Sequence, residues 1–351
     1  MKCLWSSGKI KRSSREGFLR PNLINLSKGE QMRVLVTGAG GFIGSHLARE
    51  LYRQGHFVRV VDIKWDGYIE EPYYSEKLTL DLRSFENCLT VTKDIDYVYN
   101  LAANMGGIGF ITAVGAEVMH DNVLINANML QASVENGVKR FFFSSSACVY
   151  PTYKQTSAEV EPLKEDDAYP ADPDNFYGWE KLYTEKMCEA YKRDCGLEVR
   201  VARYHNIYGP EGTYKGGREK APAALCRKVA EASNPGTITI WGDGKQTRSF
   251  CYIDDCVRGT IMLMESDYDQ PLNIGSDRLV TIDELADIII EISGKEIRKE
   301  YDLSAPQGVR GRNADLTLVK KVLGWEPQVS LEEGLEKTYK WIEGMISKER
   351  S

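Results

Sequence analysis

Tyr177 and Lys181 stand four residues apart. On a helix that spacing puts both side chains on one face. The ammonium would favour the phenolate and bring the phenol down from its usual ~10 toward working pH. Such a pair is a general base for an alcohol proton. Upstream, the run Ser144-Ser-Ser-Ala-Cys-Val-Tyr150 sets hydroxyls and the thiol of Cys148 directly after an apolar stretch. A third run, Thr37-Gly-Ala-Gly-Gly-Phe-Ile-Gly44, spaces Gly38, Gly41 and Gly44 three apart. Between a strand and a helix, such glycines give a tight turn, let backbone approach a pyrophosphate, and allow close helix–strand packing. The N–H groups that open the helix, at Phe42 and Ile43, add the positive end of its dipole. Asp62 follows Gly44 by eighteen residues, close to the ~20 at which an acid meets the adenosine ribose, and its charge would repel a 2′-phosphate. These features predict NAD rather than NADP, with Asp81 placed to reach the adenine.

The elements needed to position these residues can be read from the hydrophobic pattern. Residues 32–37 form a short apolar, β-branched run, hence a buried strand. Helical periodicity over 45–53 and a strand over 56–63 complete a βαβ unit, the sign of a parallel sheet. Strands are expected at 97–102, 140–145 and 198–204, and amphipathic helices at 116–136 and 175–193. The fold class is therefore α/β, a Rossmann-type doubly wound parallel sheet, with an NAD-binding domain over 32–204. After Asn206 the pattern loosens into a smaller substrate-binding domain over 205–351, with a segment near 249–274 returning to the first domain. Helices are expected at 281–292 and 331–346. In this scheme the Ser144–Tyr150 run lies at a strand's C-terminal end, where open α/β sheets build their sites.

Composition narrows the partners. The chain has 351 residues, 42% hydrophobic and 27% charged, with a net charge of −6. That is ordinary for a globular protein, and without a basic body nucleic acid is not an expected partner. A phosphate-bearing ligand would need a local basic pocket. The eight cysteines form no C-x-x-C pair and are scattered, which argues against a metal site and for reduced thiols in a cytoplasmic protein. No apolar run reaches the ~18 residues of a membrane helix. Residues 1–31 carry seven Lys/Arg against two Asp/Glu and read as a basic, disordered extension.

Together, the glycine run, the S-S-S-A-C-V-Y run and Y-x-x-x-K resemble the extended short-chain dehydrogenase/reductase family of NAD-dependent epimerases and dehydratases, over essentially residues 32–348. The resemblance implies that Ser146 orients the reacting hydroxyl, Tyr177 is the base and Lys181 binds the nicotinamide ribose. It also implies a homodimer built on paired helices. Segments 101–107, 146–151, 205–210, 215–222, 241–249 and 308–313 resemble the GDP-mannose 3,5-epimerases within that family. GDP-mannose or a related nucleotide-sugar is then the implied substrate. Oxidation at C4 acidifies the protons on C3 and C5, and inversion needs a base on one face and an acid on the other. The resemblance offers Cys148 as the base and Lys220 as the acid. Gly106, Ser146, Ala147, Asn206, Glu219, Gln246 and Thr247 are implied sugar or nucleotide contacts. Lys228, Arg248 and Arg310 are implied diphosphate or sugar contacts, since guanidinium forks match phosphate geometry.

Taken singly, several of these residues have ordinary structural roles: Cys148 as a small buried thiol, Lys220 as a solvated lysine, Tyr177–Lys181 as a surface pair. Two other functions compete. A UDP-sugar 4-epimerase needs Ser146, Tyr177 and Lys181 but not Cys148 or Lys220. A non-catalytic NAD-sensing regulator needs only the dinucleotide site.

Overall fold

Val34 and Val36 face one side of the strand Arg33–Thr37 and Leu35 faces the other, yet all three are buried. A strand covered on both faces belongs to the middle of a parallel sheet. The computed structural model describes residues 31–69 and 71–350, so the expected basic extension lies outside the described residues save for Gln31. In chain order the first half comprises β1 (Arg33–Thr37), α1 (Phe42–Arg53), β2 (Phe57–Asp62), β3 (Glu76–Thr79), α2 (Phe85–Thr92), β4 (Tyr97–Asn100), α3 (Ile108–Ala113), α4 (Gly115–Glu135), β5 (Arg140–Ser146), α5 (Phe176–Cys195) and β6 (Glu198–Tyr204). The rest comprises β7 (Ile207–Tyr208), α6 (Ala221–Glu231), β8 (Gly236–Trp241), β9 (Thr247–Ser249), β10 (Cys251–Tyr252), α7 (Ile253–Glu265), β11 (Leu272–Ile274), β12 (Leu279–Thr281), α8 (Ile282–Ser293), β13 (Ile297–Asp302), β14 (Gly311–Arg312), α9 (Thr317–Leu323) and α10 (Leu331–Arg350).

Seven strands form one sheet in the order β11-β6-β5-β4-β1-β2-β3, and every pairing in it is parallel. The winding reverses between β1 and β4, so the crevice beyond their C-terminal ends is where this topology binds ligands. One core lies between the sheet and α1 and α7, through Val34, Val36, Val60, Leu47, Leu51 and Ile261. The other lies under α2, α4 and α5, through Leu35, Val98, Phe141, Phe143, Met129 and Cys188. Beyond β6 the chain builds small sheets, β12-β9-β14 and β13-β8, and between α7 and β12 it re-enters the large sheet with β11.

Helix α5 departs from the expected amphipathic pattern. It buries Glu180, Lys181, Thr184 and Glu185 while Phe176, Trp179 and Tyr183 stay exposed. Helix α4 likewise buries Asp121, Asn122 and Asn126. The polar faces turn inward because they satisfy one another. Asn126 Nδ2 donates to Glu180 Oε1 (2.7 Å) and Asn122 Nδ2 to Glu180 Oε2 (3.3 Å). Asn100 Nδ2 donates to Asn126 Oδ1, and Thr37 Oγ1 to Asn100 Oδ1. This chain of hydrogen bonds ties the end of β1 to α5, as a buried polar group requires.

Candidate active site

The glycine run forms the expected turn. Gly38 adopts φ +68, and a Cβ there would lie 2.8 Å from the Ala102 backbone nitrogen. A Cβ on Gly44 would lie 2.3 Å from the Gly38 carbonyl, so only glycine lets α1 start this close to β1. Gly41 is the N-cap and lacks a side-chain cap, which leaves the opening N–H groups at Phe42 and Ile43 for a ligand's phosphates. Asp62 ends β2, where its carboxylate accepts from the backbone N–H groups of Gly40, Ile63 and Lys64. Burial nonetheless pushes its pKa up. A Cβ at Gly40 would strike the Lys64 carbonyl at 2.2 Å, so Asp62 is clamped against the glycine loop. These residues fit a dinucleotide. Asp81, beyond β3, is held by the Arg83 guanidinium at 2.7–3.0 Å, which lowers its pKa.

The second group of residues gathers where β5 ends. Ser146 caps the short 3-10 turn Ala147–Val149, its hydroxyl accepting from the Cys148 N–H (3.2 Å), and it lies near enough to the Tyr177 hydroxyl to favour its ionisation. Helix α5 starts behind an Asn175 cap and approaches this turn so closely that a Cβ on Gly178 would lie 2.2 Å from the Cys148 carbonyl. The second residue of Y-G-W-E-K is therefore glycine for packing, and that contact sets Tyr177 beside Ser146 and Cys148. Lys181 is buried, its ammonium 5.5 Å from the Tyr177 ring centroid and 4.7 Å from that of Phe143.

The expected lowering of the tyrosine pKa is not what the site alone produces. Burial pushes Tyr177 up, with the neighbouring Cys148 and Glu180 adding to the rise. Burial also pushes Lys181 down. Both groups have lost water, and the lysine lies over ring faces instead of bonding to the phenol oxygen. The neighbouring Ser146 hydroxyl is the opposing influence on Tyr177.

Lys220 lies just before α6, half-buried, and interacts electrostatically with Cys148; burial pushes its pKa down. The loop carrying Gly106 and Gly107 packs on this segment, because Gly107 N donates to the Arg218 carbonyl (3.0 Å) and a Cβ on Gly107 would meet the Glu219 carbonyl at 2.6 Å. Glu219 accepts from the Gly217 N–H and pairs with Arg227. Arg248, on β9, also feels Cys148 and donates to the carbonyls of Thr247, Gln307 and Val309. Desolvation and the nearby Arg312 push its pKa down to about 9.

Other expected contacts are tied up by their own partners. Asn206 (φ 45) donates to the Ser249 carbonyl, Thr247 to the Ala158 carbonyl, and Lys228 to the Thr239 carbonyl. Gln246 donates to the Trp241 carbonyl and leaves its own Oε1 buried without a partner. Arg310 forms a two-pronged pair with Asp243 at 2.8 and 3.0 Å. It is the next arginine, Arg312, that reaches Cys148, at 3.3 Å. Nothing in the run G-V-R-G-R-N separates the two arginines before the register of β14 is known. Among the described residues no group of three or more His, Cys, Asp or Glu could hold a metal ion.

A dinucleotide cradle at the switch point, and a Ser–Tyr–Lys group one strand away, define a Rossmann-type enzyme of nicotinamide chemistry. The model of the NAD dependent epimerase/dehydratase family matches residues 34–275. The chain is 50% identical over 323 residues to GDP-mannose 3,5-epimerase 1 of Oryza sativa subsp. indica, covering 92% of this chain and 84% of that one. It is 48% identical to GDP-mannose 3,5-epimerase of Arabidopsis thaliana, covering 92% and 85%. Among solved structures, UDP-glucose 4-epimerase of Thermotoga maritima with UDP-glucose superposes with a TM-score of 0.82 at 31% identity, covering 90% and 100%. The chain belongs to the NAD-dependent epimerase/dehydratase family.

Proposed function

We propose that this protein inverts C3 and C5 of GDP-mannose to give GDP-L-galactose. The observation that carries the proposal is that Lys220, 72 residues further along the chain, lies within electrostatic reach of Cys148 beside Ser146 and Tyr177. A 4-epimerase has no need of that second acid–base pair, and the relatives at 48–50% identity bear the 3,5-epimerase name.

Bound NAD would supply the hydride acceptor at C4 and later return the hydride, so no cofactor is consumed. Tyr177 takes the C4 hydroxyl proton, Ser146 holds that oxygen, and Lys181 holds the nicotinamide ribose. With a ketone at C4, the Cys148 thiolate removes a proton from the adjacent carbon and Lys220 delivers one to the opposite face. The lowered pKa of the Lys220 ammonium makes it a readier donor. Gly38, Gly41, Gly44 and Asp62 hold the cofactor, with Asp81 toward the adenine. Gly106, Ala147, Asn206, Glu219, Lys228, Gln246, Thr247, Arg248 and Arg310 face the sugar nucleotide. Arg310 would have to leave Asp243 to do so.

The protein is proposed to work as a homodimer in the cytoplasm. Helices α4 and α5 pack side by side. The exposed Phe176, Trp179 and Tyr183 lie three and four residues apart on α5, a row that a second copy would cover. Cys88, Cys148, Cys188, Cys226, Cys251 and Cys256 carry free thiols, which suits a reducing compartment. No helix among the described residues is long and apolar enough to cross a membrane.

The discriminating experiment is the Cys148→Ala variant incubated with GDP-mannose. C4 oxidation should continue, visible as bound NADH absorbance, while no GDP-L-galactose forms. Formation of GDP-L-galactose at the wild-type rate would remove Cys148 from the mechanism and favour a UDP-sugar 4-epimerase with an incidental thiol.

A further inference from the structure

Arg312 is 6% exposed, and its ion pair with Asp174, at 3.8 Å, is too long to be a hydrogen bond. Its Nε donates to the side-chain oxygen of Gln155 at 2.5 Å, a neutral partner. Its Nη1 donates to Cys148 Sγ at 3.3 Å. Nη2 is buried without a hydrogen-bond partner among the described residues, and the nearest carboxylate oxygen, on Asp174, is 3.8 Å away. A buried guanidinium normally meets a carboxylate at hydrogen-bond distance, because desolvating its charge is costly. Here an amide fixes its direction and a sulfur receives it.

The positioning is built on both sides. Gln155 is 1% exposed, and its amide nitrogen donates to the carbonyls of Tyr150 and Pro151, immediately after the Cys148 turn. Its backbone carbonyl accepts from the N–H groups of Arg310 and Gly311. A Cβ on Gly311 would lie 2.2 Å from the Ser157 carbonyl, so glycine is what lets β14 press against this segment. One residue therefore holds the thiol-bearing turn and the arginine in a single register.

We infer that Arg312 is a positioning residue for proton transfer at carbon, fixed by Gln155 so that its guanidinium holds the Cys148 sulfur as an acceptor and stabilises its thiolate. The inference rests on the reading of Cys148 as the carbon base. In the step, the sulfur lone pair forms the S–H bond while the C–H electron pair passes into the enolate, whose charge rests on the C4 oxygen. Arg312 loses no proton throughout. The other groups facing the thiol are Tyr177 and Lys181 from α5, Lys220 ahead of α6 and Arg248 on β9, with Asp174 behind the arginines. Of these charged groups, Arg312 is the one with a recorded hydrogen bond to the sulfur.

The test uses the NAD-loaded protein, with bound NAD measured to establish that each variant is folded. Alkylation of Cys148 by iodoacetamide is followed against pH on its own peptide by mass spectrometry, in wild type, Arg312→Lys and Arg312→Gln, with glutathione alongside. Exchange of the C3 and C5 hydrogens of GDP-mannose in deuterated water is measured on the same samples. Wild-type Cys148 should react at lower pH than glutathione. Arg312→Gln should shift the profile to higher pH and slow exchange at neutral pH about tenfold or more, as loss of a charged hydrogen bond implies. Raising the pH should recover that rate, and Arg312→Lys should fall between. A merely structural arginine would lower exchange at every pH and leave the alkylation profile in place, which would overturn the inference. So would a wild-type thiol no more reactive than glutathione, a comparison that needs no variant to fold. If wild type exchanges neither hydrogen while the alkylation results hold, the epimerase reading fails and the Arg312–Cys148 pair stands.

Discussion

Tyr177 and Lys181 are the residues whose chemistry the sequence announced most directly, and the structure alters how they achieve it. Their spacing does bring them to one helix face, but burial favours the neutral form of each. Under the proposed mechanism the phenol loses its proton against that burial, with the neighbouring Ser146 as the opposing influence, and not as a free phenolate beside an ammonium. Tyr177→Phe should abolish turnover and leave the NAD content unchanged, measured by product analysis and cofactor release; activity near wild type would show that another group takes the proton. Lys220 is a second desolvated lysine, and its cost is a stability statement. Its folded pKa lies below the ordinary 10.5, so the unfolded chain binds more protons and stability rises with pH from the depressed value up to 10.5. Lys220→Met keeps the aliphatic packing and removes the charge. It should raise the melting temperature at neutral pH while ending inversion, and a lower melting temperature would contradict the role of desolvation.

At the scale of elements, the long periodic pieces were legible in the sequence and the short ones were not. Strand β6 coincides with its expected span, and α4, α5, α8 and α10 lie within a few residues of theirs. Helix α1 begins three residues earlier than its periodicity suggested, because the glycine turn closes at Gly41 and the helix needs no capping side chain. Strands of two or three residues, such as β7, β9, β10 and β14, are too short to show an alternation. The inward polar face of α4 and α5 was equally hidden, since Asn122, Asn126 and Glu180 look like solvated positions until the network that satisfies them is seen. Gly178 shows how an element sets a site. Gly178→Ala would force its Cβ against the Cys148 carbonyl and push α5 away from the 3-10 turn. The expected outcome is a loss of activity of roughly a hundredfold or more, as an ~1 Å misplacement can produce, with a lowered melting temperature. Unchanged kinetics would mean that the close approach does not position Tyr177.

For the whole molecule, a dinucleotide cradle sits at the sheet's switch point, and the proposed acid–base pair, Cys148 and Lys220, is drawn from segments far apart in the chain. The inverted α5 adds a consequence. Trp179→Glu with Tyr183→Glu should convert a dimer to a monomer by light scattering at micromolar concentration, and a wild-type monomer would contradict the proposed assembly. The central claim is that two carbons of the sugar, and not C4 alone, change configuration. The measurement that tests it most directly is NMR of the sugar nucleotide recovered after GDP-mannose is incubated with wild-type protein in deuterated water. Deuterium is expected at both C3 and C5, with GDP-L-galactose among the products and protium retained at C4 because the hydride returns from the cofactor. Deuterium at neither carbon, with the hexose either unchanged or inverted at C4, would contradict it.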